Sequence, residues 1–292
     1  MHVLDTEFVF VVGMHRSGTS AATGALVELF GFQAEANPVP SNPTGQWERL
    51  EMRPHVDLLL AASGGTWRQP STDDRYSAGR LLGGYLRRAF TRHVKTPGVW
   101  KDPRLCLCID YWLQLADQRG FDSKIVYVVR CPMQVAASLQ GRNGFSLENG
   151  LALWERTNNQ AMRRLSGRDA VVVEYDRLVA NPREALEIVG AHIASGRSLD
   201  GEAIERAAQF IHERRSQLQQ LSEDASVLCP TWEVLRGAHG TALTMPVPPA
   251  EPAEVAEILG QASIASRVQS IVRGYRSRRA FRPMPNSSVT EL

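Results

Sequence analysis

The residues Gly13-Met-His15-Arg16-Ser17-Gly18-Thr19-Ser20 hold the densest chemistry of this 292-residue chain. Their spacing is that of a phosphate-binding loop, Gly-x-x-x-x-Gly-Lys-Ser/Thr, with Thr19 standing where the lysine belongs. A tight glycine turn makes successive backbone N–H groups converge on one point. The helix that follows adds the positive end of its dipole, so a phosphate is stabilised there. In nucleotide triphosphatases the lysine reaches the β- and γ-phosphates. Here the cation is Arg16, three residues earlier and inside the loop, which suits a shorter anionic chain than a triphosphate.

Such a loop needs a strand to deliver it and a helix to receive it. Phe8-Val-Phe-Val-Val12 is a continuously apolar run, expected to be a strand buried on both faces. Thr19 to Phe30 reads as the helix, started by Ser or Thr and stopped by Gly31. The pattern recurs at Lys124–Arg130, followed by a helix opening on Pro132, and at Ala170–Tyr175, followed by a helix with Pro182 at its first position. Val99-Trp100 reads as a further short strand. Strands alternating with helices predict an α/β protein, a P-loop-like three-layer fold with a central parallel sheet flanked by helices and a helical C-terminal extension.

The expected organisation is an α/β core over residues 1–200, with an inserted, loop-rich acceptor-binding segment at about 38–74, and a mainly helical region over 201–292 packed on it. Gly201–Ser222 reads as a polar helix, Pro246–Pro252 as a proline-rich break, and Ala253–Ala280 as a last helix ending in the arginine-dense piece Arg273–Arg282. Cys106, Cys108, Cys131 and Cys229 show no zinc-ligand spacing and read as buried reduced thiols of a cytoplasmic protein, with Cys106 and Cys108 on opposite faces if that segment is extended. A net charge of +2 gives no bulk electrostatic case for nucleic-acid binding. The sequence offers neither a signal peptide nor a transmembrane run, and no metal-ligand cluster.

The stretch Val12-Gly-Met-His-Arg-Ser-Gly-Thr-Ser20 resembles the 5′-phosphosulfate loop of sulfotransferases that use 3′-phosphoadenosine 5′-phosphosulfate (PAPS), in particular their bacterial branch. Ile125-Val-Tyr-Val-Val-Arg130-Cys-Pro-Met-Gln-Val-Ala-Ala-Ser138 resembles the 3′-phosphate motif of the same enzymes. Val173–Pro182, Gly45-Gln-Trp-Glu48 and Trp100-Lys-Asp-Pro-Arg104 are similar to further stretches in the family's order, so the likeness covers roughly residues 8–195.

The resemblance implies roles. Arg16 would stabilise the bridging oxygen, while His15, Ser17, Gly18, Thr19 and Ser20 would surround the 5′-phosphate. Arg130 would grip the 3′-phosphate by a bidentate fork and Ser138 by one hydroxyl bond. Tyr175 either packs on adenine or is a core tyrosine. Glu48, beside Trp47 in what reads as an apolar setting, is the candidate base for the acceptor, with His55 and His15 as alternatives. Lys101 either meets the transferring sulfuryl group or forms a salt bridge.

The implied product is 3′,5′-adenosine bisphosphate, with no metal required. The acceptor would be a small molecule, glycan or glycolipid, for which the segment from Trp47 to Trp67 suggests a stacking wall. Two rivals stand beside this reading: a P-loop small-molecule kinase using ATP and magnesium, with Glu174 and Asp176 as its acidic groups, and a non-catalytic nucleotide-binding protein.

Overall fold

The computed structural model describes residues 7–40, 42, 45–72, 80–212 and 228–260. Five strands form one sheet: β1 (Glu7–Val12), β2 (Gly98–Lys101), β3 (Asp122–Val129), β4 (Asp169–Glu174) and β5 (Ala242–Thr244), in the order β2-β1-β3-β4-β5. The first four are parallel. Register is fixed by pairs such as Phe10↔Trp100, Phe10↔Ile125 and Val128↔Val173.

Strand β1 has no solvent face. Phe8, Phe10 and Val12 enter one apolar layer with Trp100 and Trp112, while Val9 and Val11 enter the other with Leu26 and Leu29. Such two-sided burial is what a continuous apolar run in a parallel sheet demands. Helices α1 (Thr19–Phe30), α8 (Pro182–Ala194) and α9 (Gly201–His212) supply the second layer. The first layer is supplied by α2 (Arg53–Ala62), α3 (Arg80–His93), α4 (Ile109–Asp117), α5 (Pro132–Asn143), α6 (Leu147–Leu165) and α10 (Pro230–Gly237). A short helix α7 (Tyr175–Ala180) links β4 to α8, and α11 spans residues 253–260.

Several details differ from expectation. The sheet is not wholly parallel, because β5 pairs antiparallel with β4 through Asp169↔Thr244 and Val171↔Ala242. Three residues are too few to show a period, which is why a helical reading of the C-terminal region missed it. The segment 38–74 contains a true helix, α2. Its Pro54 sits in the first turn, and Val56, Leu59 and Leu60 at helical spacing are buried.

Helix α1 starts on Gly18 in the left-handed region, not on a serine or threonine cap, and ends on Gly31 as expected. Cys106 lies in a 3-10 helix, Pro103–Leu107, and Cys108 caps it, so that segment is not extended. All four cysteines are buried and none forms a disulfide, and burial pushes the Cys106 thiol up to about 12. The continuation of α9 beyond His212, the end of α11 and the stretch Arg273–Arg282 lie outside the described residues.

Candidate active site

The connection leaving β1 runs toward β2 on one side, and that leaving β3 runs toward β4 on the other. A crevice therefore opens at their carboxyl ends, where such folds bind ligands. The loop 13–20 leaves β1 there and Arg130 leaves β3.

Two glycines make the loop possible. A Cβ on Gly13 would lie 2.3 Å from the Val128 carbonyl oxygen of β3, so only glycine lets the turn lie against the sheet. Gly18 has φ 89°, and a Cβ there would meet Tyr175 Cδ2 at 2.0 Å. Arg16 is also left-handed, φ 72°, a conformation that costs a non-glycine residue roughly 1–2 kcal/mol. That turn throws its side chain toward α5, where Nε donates to Ser138 Oγ at 2.7 Å.

Burial, then the like charges of Arg142 and Arg130, holds the Arg16 guanidinium below its usual range. Arg130 lies over the Tyr175 ring at 4.8 Å and donates from Nε to Gln134 Oε1 at 2.6 Å. Gln134 in turn donates to Asp176 Oδ2 at 2.8 Å, and Asp176 lies 4.0 Å from Arg130. Guanidinium groups gathered in this way repel one another. An anion placed between them would relieve that repulsion.

In the same cavity, Lys101 at the end of β2 is 3% exposed. Its Nζ donates to Glu48 Oε1 at 3.1 Å, to the Gln46 carbonyl at 2.9 Å and to Ser20 Oγ at 3.2 Å. Burial lowers its pKa, opposed first by the charge of Glu48. Glu48 is aligned by a single parallel bridge to Lys101 and also approaches Arg53 Nε of α2 at 3.4 Å. The apolar setting expected for Glu48 is thus absent: its carboxylate lies between two cations. Trp47 turns away, with its ring 6.0 Å from Phe210 of α9, and takes no part in a wall with Trp67.

His15 packs on Trp67 at 4.3 Å, and its buried Nε2 has no partner within the protein. Burial holds the imidazole down at about 3, so it is neutral near pH 7 and a poor base there. His55 donates from Nδ1 to the Glu51 carbonyl at 3.0 Å, stacks on Tyr85 and does not line the cavity.

The cavity, about 410 Å³, brings together His15, Arg16, Gly18, Thr19, Ser20, Glu48, Lys101, Arg130 and Tyr175. Ser17 and Ser138 do not line it: Ser17 is fully buried with an unpartnered hydroxyl, and Ser138 stands behind Arg16. Tyr175 is 6% exposed and closes on Gly18 and Arg130, a packing role whether or not one edge meets a ligand. Asp102 is also buried away from the cavity. Burial alone would raise its pKa, but the Arg104 side chain, bonded to it from Nε at 2.8 Å, holds it below the usual range.

Sequence reasoning passed over Arg142, Asn42, Arg53 and Asp57, which line the cavity together with Trp67 of the expected wall and Arg104 of the Trp100–Arg104 stretch. Arg142 had a usable signal, since it follows Ser138 by four residues and so shares its helix face. Asn42, which donates to Ser20 Oγ at 3.2 Å, had none. Arg104 reaches Asp57 of α2 at 2.7 Å, tying the inserted helix to the loop after β2. Among the described residues no group of three His, Cys, Asp or Glu side chains could hold a metal ion, and no helix is long and apolar enough to cross a membrane. The two acidic groups that a magnesium-dependent kinase would need instead face cations, Glu174 with Arg177 at 3.0 Å and Asp176 with Arg130.

The chain is similar to a sulfotransferase, STF1, of Mycobacterium tuberculosis H37Rv, at 17% identity over 71% of this chain and 72% of that one, with a TM-score of 0.42. It is also similar to the sulfotransferase domain of the olefin synthase of Synechococcus PCC 7002, at 17% identity over 90% of this chain and 96% of that one, with a TM-score of 0.40. No curated protein matches it. The model of the sulfotransferase family matches residues 9–194, a segment that opens on β1 and closes on the last residue of α8 and therefore holds the loop, the arginines and the Glu48–Lys101 pair. On that match over most of its length, this chain belongs to the sulfotransferase family.

Proposed function

We propose that the protein moves a sulfuryl group from PAPS to a hydroxyl or amine of a small-molecule or glycan acceptor by in-line displacement. The observation that carries this reading is that one cavity gathers the loop residues with Arg16, Arg130 and Arg142 and, bonded to Ser20 of that loop, the Glu48–Lys101 pair. A nucleotide phosphorylated at both its 3′ and 5′ positions fits the loop and its arginines, and an acceptor hydroxyl fits Glu48.

Sulfuryl transfer makes the demands of phosphoryl transfer, with charge developing on the equatorial and leaving oxygens. Ser138 Oγ accepts from Arg16 Nε, which holds the guanidinium in place and leaves its terminal nitrogens to donate to phosphate oxygens. Arg130, braced by Tyr175 and Gln134, presents its fork to the 3′-phosphate. The loop N–H groups and the Ser20 hydroxyl hold the 5′-phosphate, and Arg16 meets the charge that builds on the bridging oxygen. Glu48 takes the acceptor proton, and Lys101 donates to the sulfuryl oxygens from the position fixed by Ser20 and the Gln46 carbonyl.

Calorimetry tests the donor. The full chain is expected to bind 3′,5′-adenosine bisphosphate without added metal and at least tenfold more tightly than ATP with magnesium, a difference of about 1.4 kcal/mol. The reverse preference would overturn the reading. Labelled PAPS offered with a panel of phenols, sugars and alkyl alcohols then identifies the acceptor class.

A further inference from the structure

Trp154 of α6 is fully buried, and its indole Nε1 donates to the main-chain carbonyl of Arg130 at 3.1 Å. An indole nitrogen only donates, so this bond is its whole polar role. It fixes where the chain leaves β3 and therefore where the Arg130 side chain begins.

Trp154 is held in turn by α10. Trp232 of α10 meets it edge-on, with centroids 6.1 Å apart and planes at 83°. The neighbouring Thr231 donates from its hydroxyl and its backbone N–H to the Glu155 carboxyl, at 2.5 and 3.3 Å. Farther along the same helix, Arg156 pairs with Glu251, and Asn159 donates to the Pro249 carbonyl at 2.8 Å. Helix α6 also comes close to α5, because a Cβ on Gly150 would lie 2.8 Å from Ala136 Cα. It thereby seats the helix that bears Gln134 and Ser138. Both α10 and the segment 245–252 lie beyond the family-matched residues 9–194.

We propose that Trp154 is a positioning residue for Arg130 and that α10 keeps it in register. The C-terminal region then contributes to recognition of the 3′-phosphate although none of its described residues lines the cavity. The inference rests on Arg130 being the 3′-phosphate ligand. A bidentate fork tolerates little displacement, and a shift of about an ångström at its base spoils both bonds.

The test compares two probes, 3′,5′-adenosine bisphosphate and AMP, which lacks the 3′-phosphate, by calorimetry on the full chain. Trp154→Phe keeps a buried ring and removes the N–H. Its affinity for the bisphosphate is expected to fall about fivefold while AMP binding stays unchanged, so the ratio of the two falls about fivefold. An unchanged ratio, with or without a shift in Tm, overturns the proposal, because a purely structural loss weakens both probes alike. Should Trp154→Phe not fold, Trp232→Phe thins the support and leaves the indole bond in place. It is expected to lower the ratio about twofold, and an unchanged ratio there overturns the proposal as well. Wild-type protein that binds AMP as tightly as the bisphosphate removes the Arg130 assignment itself, a result separate from any effect of Trp154.

Discussion

Arg16 and Ser138 are joined by a 2.7 Å hydrogen bond across 122 positions of sequence. The first belongs to the loop after β1 and the second to the helix after β3, so the bond ties the two halves of the crevice together. Ser138→Ala removes the acceptor that holds Arg16 Nε and frees Arg16 to swing. Affinity for 3′,5′-adenosine bisphosphate is expected to fall about tenfold, the effect of one hydrogen bond to a charged group. Ser138 is only half-buried, so Tm is expected to change little. Calorimetry and thermal melting together check both halves of this expectation.

Glu48 and Lys101 behave as a pair. Glu48→Gln is expected to lower kcat at least a hundredfold while donor affinity stays within about threefold, as loss of a general base demands. It also removes the anion that chiefly offsets the effect of burial on Lys101. The ammonium pKa then drops further, and the alkaline limb of the residual pH–rate profile moves to lower pH. A profile of unchanged shape with near wild-type turnover would dismiss Glu48 as the base.

Glu155 predicts a pH dependence of stability. Burial raises its pKa from about 4.5 to about 7, against the opposing hydrogen bonds from Thr231. In the unfolded chain the group loses its proton near pH 4.5, whereas in the folded chain it keeps it to near pH 7. The folded state therefore binds more protons across that window, and stability falls as pH rises through it, by up to about 3 kcal/mol. Urea denaturation at pH 5 and pH 8 should show the decline, and Glu155→Gln should flatten it.

Gly18→Ala places a methyl group against the Tyr175 ring at a left-handed φ. We expect a loss of roughly 2–4 kcal/mol from overpacking and backbone strain combined. Bisphosphate binding should fail with it, because the loop cannot keep its N–H groups convergent. A Tm within about 2 °C of wild type would show that the ring gives way instead.

The parts of the fold that were legible are those with strong local signals. Phe8–Val12 announces a doubly buried strand because every residue is apolar, and Pro132 and Pro182 mark helix starts through their fixed φ. In the site, Arg16, Lys101, Arg130 and Glu48 could be listed from motifs, but their pairing could not. That Arg16 reaches Ser138, and that Lys101 rather than an apolar wall meets Glu48, depends on the order of strands. Trp67 and Trp47 looked equivalent as ring-bearing loop residues, yet only Trp67 reaches the cavity. The left-handed turn at Trp47, φ 57°, accompanies the placing of its ring against Phe210 of α9.

Strand β5, though only three residues long, has a consequence for handling the protein. It covers the open rim of β4, whose residues Ala170 to Val173 are among the most apolar of the sheet, and the cover is extended where the Met245 N–H donates to the Arg168 carbonyl and the Gly167 N–H donates to the Met245 carbonyl. A truncated version ending with the family-matched segment would present that rim to solvent, an invitation to self-association through strand addition. The brevity of β5 keeps its own outer rim too short to recruit a neighbour, so the same element that completes the sheet also stops it from growing.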